Sequence, residues 1–166
     1  DTDQEITTFT AYPAWVFADT FIVMAPEHPL IPKLVAGTPE QEQVEKFIKK
    51  MAERDTSAAT LDTMEKEGCF TGRFAIDPLT GEELPIWLAN FALMEFGTGS
   101  IRCSAHDIRD REFAEKYTIP LREVVDRTSP QEPVNAHEQT GTLKNSGKFS
   151  GLSVTEAEGK ICTWME

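Results

Sequence analysis

Apolar positions along the chain change their spacing several times, and each change marks an element. Ile6–Thr10 (ITTFT) and Thr20–Ala25 (TFIVMA) are rich in β-branched and aromatic residues and are separated by a segment carrying Pro13. That pattern predicts two strands. A helical period follows, because Val44, Phe47, Ile48 and Met51 fall at i, i+3, i+4 and i+7 with Glu and Lys between them. Ahead of this stripe, Thr38 with Gln41 makes a capping-box pattern and Pro39 suits the first helical position. A shorter helical piece is expected near Thr60–Lys66, stopped by Gly68.

The pattern then turns to strands. Cys69–Ile76 and Leu84–Met94 flank Asp77–Glu82 (DPLTGE), a turn by its Asp, Pro and Gly chemistry. Gly97-Thr98-Gly99 breaks the chain before Ser100–Ser104, a further strand. Asp107 to Tyr117 reads as a helix with Ile108, Ala114 and Tyr117 as inner positions. The stretch 126–151 is rich in Pro, Gly, Ser and Asn and reads as a long loop, and Val154–Met165 as a closing helix capped by Ser153. Many strands with a few helices between them predict a mixed α/β fold, a β-rich core with helices at its edge.

Composition narrows the class. The 166 residues carry 16 Lys+Arg against 28 Asp+Glu, a formal net charge of −12, and are 40% apolar. The length suits one domain with a sizeable core, and the composition is not that of a disordered chain. Apolar runs such as Phe21–Pro26 fall short of the roughly 20 residues that a membrane span needs. No cationic segment followed by an apolar one opens the chain, so no secretory signal is expected. Cys69, Cys103 and Cys162 are odd in number and widely spaced, which favours a reducing, cytoplasmic setting. The acidic balance argues against tight, sequence-blind nucleic-acid binding. It leaves room for a grip on a few nucleotides at the end of an RNA that another domain holds.

Candidate chemistry is sparse. The histidines are His28, His106 and His137, with neither H-E-x-x-H nor paired C-x-x-C. Cys103 and His106 alone are too few ligands, so no metal is expected. Ser104, His106 and Asp107 have triad residue types, but neighbours this close rarely reach one another and no G-x-S-x-G elbow is present. In His106-Asp107-Ile108-Arg109-Asp110, Asp107 suits an N-cap and Asp110 the third helical position. Both carboxylates then either cap the helix or line an anionic pocket suited to a substrate ammonium. Gly97-Thr98-Gly99 lacks the spacing of a P-loop; it is either a tight turn or a place where backbone approaches a ligand.

Taken together, these segments resemble a known family. Gly72–Trp87 (GRFAIDPLTGEELPIW) is similar to a signature stretch of the editing domain of bacterial-type leucyl-tRNA synthetases. So is Phe96-Gly97-Thr98-Gly99 leading to Ala105-His106-Asp107-Ile108-Arg109-Asp110 and on to Glu112-Phe113-Ala114. Ala25–Leu30 (APEHPL) and Asn145–Leu152 (NSGKFSGL) fit the same family in the expected order. The resemblance implies a single editing domain over 1–166, connective polypeptide 1, taken from a larger synthetase. Its expected fold is a closed β-barrel edged by helices. Its expected activity is hydrolysis of the ester between tRNA(Leu) and a wrong amino acid, with no cofactor. The partners implied are the 3′ end of the aminoacylated tRNA, its amino-acid moiety and the rest of the synthetase, with no membrane.

By the same resemblance Asp110 and Thr10 are the catalytic candidates, with Asp110 binding the α-ammonium. Asp107 and His106 flank it, while Thr98 and Gly99 form the wall near the terminal adenosine. Phe96, Ala11, Tyr12, Trp15 and Arg102 complete the implied substrate-binding set. The chain departs from the family in one strand, usually F-T-T-R-P-D-T-L-F-G. Here it reads Phe9–Ala18 (FTAYPAWVFA), with Ala11, Tyr12, Ala14 and Trp15 at altered positions. Arg102-Cys103-Ser104 stands where an apolar run ending in Pro is usual. Trp15 matches a threonine that gates substrate size, so its ring is expected in or over the amino-acid pocket, impairing or re-specifying editing. The alternative is a hydrolysis-deficient binding module for an amino acid, an aminoacyl-adenosine or a peptide N-terminus.

Overall fold

The computed structural model describes residues 4–53, 65–126 and 141–165. The chain divides into two compact units, one of 1–9 with 21–102 and one of 10–20 with 103–166. A 3-10 helix, Pro13–Ala18, leads into β1 (Asp19–Met24), followed by α1 (Ile31–Val35) and α2 (Gln41–Ala52). Then come β2 (Gly68–Ile76), β3 (Glu83–Ala89), β4 (Ser100–Ser104) and α3 (Ile108–Tyr117). The short β5 (Val125–Asp126) and β6 (Thr142–Leu143), a 3-10 turn at Gly147–Phe149 and α4 (Val154–Met165) complete the order. The fold is mixed α/β. Its main sheet has four strands in the order β2-β3-β1-β4, and β5 and β6 form a second.

In the first unit, β2 and β3 form an antiparallel hairpin with Phe70 opposite Trp87, and β3 runs parallel to β1 with Val23 opposite Trp87. The inward residues Leu84, Ile86 and Leu88 join Ile22, Met24, Ile31, Leu34, Val35, Val44 and Cys69 in one core cluster. Each large side chain buried this way contributes about 1.5–3 kcal/mol. The amphipathic stripe of α2 is as predicted, with Val44 and Met51 buried and Phe47 and Ile48 half-buried. Its capping box does not form. The Thr38 hydroxyl donates to Val35 O (2.8 Å), and Gln41 Oε1 accepts from Gly37 N (3.0 Å). Both side chains thus secure the turn before the helix, and Glu40 at the N-cap makes no side-chain cap bond.

Two strand boundaries also differ from expectation. Within Ile6–Thr10 only Phe9 pairs, in a parallel bridge to Ile101, with its N–H donating to Ser100 O (3.1 Å). The Thr98 hydroxyl takes Thr7 O (2.6 Å), so that carbonyl is turned to a side chain rather than a ladder. The strand expected over Leu84–Met94 stops at Ala89 because Asn90 is stapled elsewhere. Its Oδ1 accepts from Glu67 N (2.9 Å), its Nδ2 donates to Glu65 O (3.0 Å) and its N–H donates to Glu67 O (2.9 Å). Most of the helix expected at Thr60–Lys66 lies outside the described residues, and Glu65–Glu67 are not helical.

The second unit departs from expectation in its interior. Helix α3 begins as predicted, with Asp107 Oδ1 accepting from Arg109 N (2.7 Å), but Ile108 points outward at 50% exposure. Asp110, Phe113 and Ala114 are the buried positions, so a carboxylate takes an inward place that hydropathy assigns to an apolar residue. Of the loop expected over 126–151, residues 127–140 lie outside the described set, while Thr142–Leu143 pairs with β5 and Ser146 and Phe149 are buried. Ser153 caps α4 in a reciprocal box with Glu156: its Oγ accepts from Glu156 N (3.3 Å), and Glu156 Oε2 accepts from Ser153 N (3.2 Å). Trp164 of α4 stacks on Phe17 of the first 3-10 helix (centroids 5.9 Å, 20°).

The hairpin turn of the first unit hangs on Asp77. Its Oδ1 accepts from Arg102 Nη1 (2.9 Å) and Leu79 N (3.1 Å), and its Oδ2 accepts from the Thr80 hydroxyl (2.8 Å). Burial works to raise the carboxyl's pKa, but the Arg102 guanidinium and these donors outweigh it and hold the pKa below its ordinary value. A depressed folded-state pKa contributes stability above the unfolded value of about 3.9, lost as pH falls through the folded value. Asp77→Ala takes the carboxylate from the nearly buried Arg102 and is expected to cost about 3–5 kcal/mol at neutral pH. Chemical denaturation at pH 7 and pH 3 measures it, the difference between the two proteins shrinking at the lower pH.

Candidate active site

Both halves of the resemblance fall on identifiable local structures. In the second unit, Pro13 opens the 3-10 helix with its preset φ, and Trp15 N donates to Tyr12 O (3.0 Å). Thr10 Oγ1 accepts from Tyr12 N (3.3 Å), which orients the segment entering the turn. Three residues per turn places Tyr12 and Trp15 one above the other. Their rings stack at 4.1 Å with a 24° interplanar angle. Trp15 is 4% exposed, tilts against His106 at 5.5 Å, and finds no acceptor for its Nε1–H among the described residues. Ala11 beside it is exposed.

His106 is fully buried, and its Nε2 accepts from Val124 N (3.0 Å). An accepting Nε2 requires the neutral tautomer with the proton on Nδ1. The ring therefore fixes the backbone at Val124 and backs Trp15.

Asp107 and Asp110 take different partners at the helix mouth. Asp107 caps α3 and lies 3.3 Å from Arg109 Nη2. Asp110 instead turns inward, and its Oδ2 accepts from Ser104 N (2.9 Å) at the end of β4. The Cys103 thiol also hydrogen-bonds this carboxyl. Burial, then the negative charge of Asp107 with a smaller share from Asp19, pushes the Asp110 pKa up to about 8, against the lowering pull of Ser104 and Cys103. The site is a buried carboxyl short of positive charge, an arrangement that rewards a cationic ligand. The link of Cys103 and Asp19 to this carboxyl escaped sequence reasoning, because only the fold brings β1, β4 and α3 together.

In the first unit, the Thr98 hydroxyl also lies 3.2 Å from Ser100 O, and Gly99 is buried with φ 71°. A Cβ at Gly99 would lie 2.3 Å from Met94 Sδ, so the bend admits no side chain without displacing Met94. Phe96 is 64% exposed beside it. Arg102 is committed to Asp77. Among the described residues no group of three or more His, Cys, Asp and Glu is arranged for a metal ion, and His137 lies outside them.

The raised Asp110 pKa has a stability signature. A carboxyl with folded-state pKa above its unfolded value of about 3.9 contributes stability that is present below that value and is lost as pH rises towards about 8. Asp110→Asn keeps an acceptor for Ser104 N and cannot ionise. It is expected to be more stable than the parent by a few kcal/mol at pH 8.5, with the gap closing near pH 4. Thermal unfolding across that range measures the effect, and parallel curves would refute it.

Comparison with known proteins agrees with this picture. A profile of the leucyl-tRNA synthetase editing domain matches residues 1–166. The leucine–tRNA ligase of Oleidesulfovibrio alaskensis is 43% identical over 169 residues, covering 99% of this chain and 20% of that protein. The leucine–tRNA ligase subunit alpha of Aquifex aeolicus is 43% identical over 168 residues, covering 97% of this chain and 26% of the relative. The chain thus spans about a fifth to a quarter of the length of these relatives. Among solved structures, the Agrobacterium radiobacter K84 agnB2 LeuRS in a ternary complex with tRNA and LeuAMS is similar, with TM-score 0.64 and 27% identity over 80% of this chain and 16% of that one. No helix among the described residues is long and apolar enough to cross a membrane. With its motifs in family order and the profile matching throughout, the chain belongs to the leucyl-tRNA synthetase editing-domain family.

Proposed function

We propose that the chain is a single editing domain that works within a cytoplasmic leucyl-tRNA synthetase and deacylates mischarged tRNA(Leu), its amino-acid pocket re-specified by Trp15. The observation that carries this reading is the match to the editing domain along the whole chain. In this reading the four-stranded sheet, extended by the Phe9–Ile101 bridge, belongs to a closed barrel. Asp110 receives the substrate's α-ammonium, whose charge offsets the burial that otherwise keeps the carboxyl protonated. Water attacks the ester carbonyl and the terminal ribose oxygen leaves, with no covalent intermediate. Thr10 positions the ester or the water, and proximity supplies much of the rate.

The remaining candidates take supporting parts. Phe96, Thr98 and Gly99 serve the terminal adenosine at the tRNA 3′ end. Tyr12 braces Trp15, which shapes the amino-acid pocket in place of a threonine. Exposed Ala11 lacks the family's hydroxyl. Asp107 and His106 hold the frame around Asp110, and Arg102 secures the hairpin turn. The rest of the synthetase holds the tRNA body, which suits a domain of net charge −12.

The buried, stacked position of Trp15 also favours a second reading, a hydrolysis-deficient module that binds an amino acid, an aminoacyl-adenosine or a peptide N-terminus. Deacylation of norvalyl- and isoleucyl-tRNA(Leu), by this chain and within a full synthetase, separates the two. The editing reading expects turnover that falls at least about a hundredfold in Asp110→Ala. Full retention would remove Asp110 from the mechanism, and no turnover with tight analogue binding would select the second reading. Trp15→Thr is expected to improve the isoleucyl over the norvalyl rate by about tenfold or more, because pocket volume discriminates by side-chain size. An unchanged ratio would place Trp15 outside the pocket.

A further inference from the structure

Asp110 is held from the strand side by two consecutive residues. Ser104 contributes its backbone N–H to Oδ2 at 2.9 Å, and Cys103 contributes its thiol. Alternation along β4 sends Arg102 to Asp77 and Cys103 inward, where it is fully buried. The charged groups that face Asp110 are Asp107 at the N-cap of α3 and Asp19 at the start of β1, both acidic. A carboxyl among acidic neighbours tends to swing away from them or keep a proton, so fixed donors decide where its oxygens lie.

We propose that Cys103 is a positioning residue for the ammonium site, its thiol holding the Asp110 carboxyl, together with Ser104 N–H, in the one orientation that receives a cation. The proposal rests on the ammonium role of Asp110 proposed above. Burial and the neighbouring carboxylates of Asp110, Asp19 and Asp107 push the Cys103 thiol well above its ordinary pKa. The shift favours the S–H donor form, and the carboxyl that Cys103 serves helps to keep it so. A thiol is a weak donor. Its worth lies in direction, because it occupies one lone pair of the carboxyl and leaves others for the ligand. Neither the length of the residue nor its apolar burial supplies that, so a methyl in its place fills part of the space without the contact.

The experiment compares the 166-residue chain with Cys103→Ala and Cys103→Ser. One readout is the Asp110 carboxyl midpoint, followed by carbon-13 NMR. The other is the Kd, by calorimetry, for a norvalyl-adenosine analogue whose ester is replaced by a stable amide. Cys103→Ala is expected to move the midpoint upward by about half a pH unit or more and to weaken the analogue about three- to tenfold. Cys103→Ser, which restores a donor, is expected to recover both. A folded Cys103→Ala protein with unchanged midpoint and Kd would overturn the proposal. So would weakened binding with an unmoved midpoint, which would assign the loss to packing. If Asp110→Asn binds the analogue as tightly as the parent, the ammonium reading itself fails. The midpoint comparison then still reports separately on the thiol contact.

Discussion

Burying one carboxyl is the constraint around which the second unit is organised. Asp110 sits on the inner face of α3, where an uncompensated charge would be costly, and the surroundings answer with donors rather than with a cation. Ser104 N–H and the Cys103 thiol approach from β4, while Asp107, which shares the helix mouth, is drawn off to cap Arg109 N. This arrangement stabilises the fold only with the carboxyl proton in place or a positive ligand present. A carboxyl placed in this way costs stability once it ionises.

Much of the local structure was legible because neighbouring residues determine it. The stripe Val44, Phe47, Ile48 and Met51 sets the buried side of α2, and Ser153 with Glu156 closes the start of α4. What escaped depends on distant partners. Nothing near Asn90 announces that its amide is bound to Glu65 and Glu67, so the strand was read past its end. Hydropathy predicts Ile108 inside, whereas α3 exposes it and buries Asp110, because burial of a charge is decided by donors on another strand. At the candidate site, motif order supplied Asp110, Thr98 and Gly99. The bond from Cys103 to the Asp110 carboxyl and the nearness of Asp19 become visible only in three dimensions.

The first unit shows how polar side chains within the motifs also serve the scaffold. Arg102 lies in a motif next to candidate site residues, yet its guanidinium closes the turn between β2 and β3 through Asp77. Thr98 likewise spends its hydroxyl on Thr7 O, joining the segment before the first 3-10 helix to the Gly-Thr-Gly bend.

The stacked Tyr12–Trp15 pair also couples two positions of the chain. In a 3-10 turn residues three apart eclipse, so the two rings cover one another, a contact worth about 0.5–1.5 kcal/mol beyond simple burial. Replacing Tyr12 alone would uncover one face of Trp15, and replacing Trp15 alone would remove the ring on which Tyr12 stacks. In a randomised library of this segment, positions 12 and 15 are a single degree of freedom and are best varied as a unit.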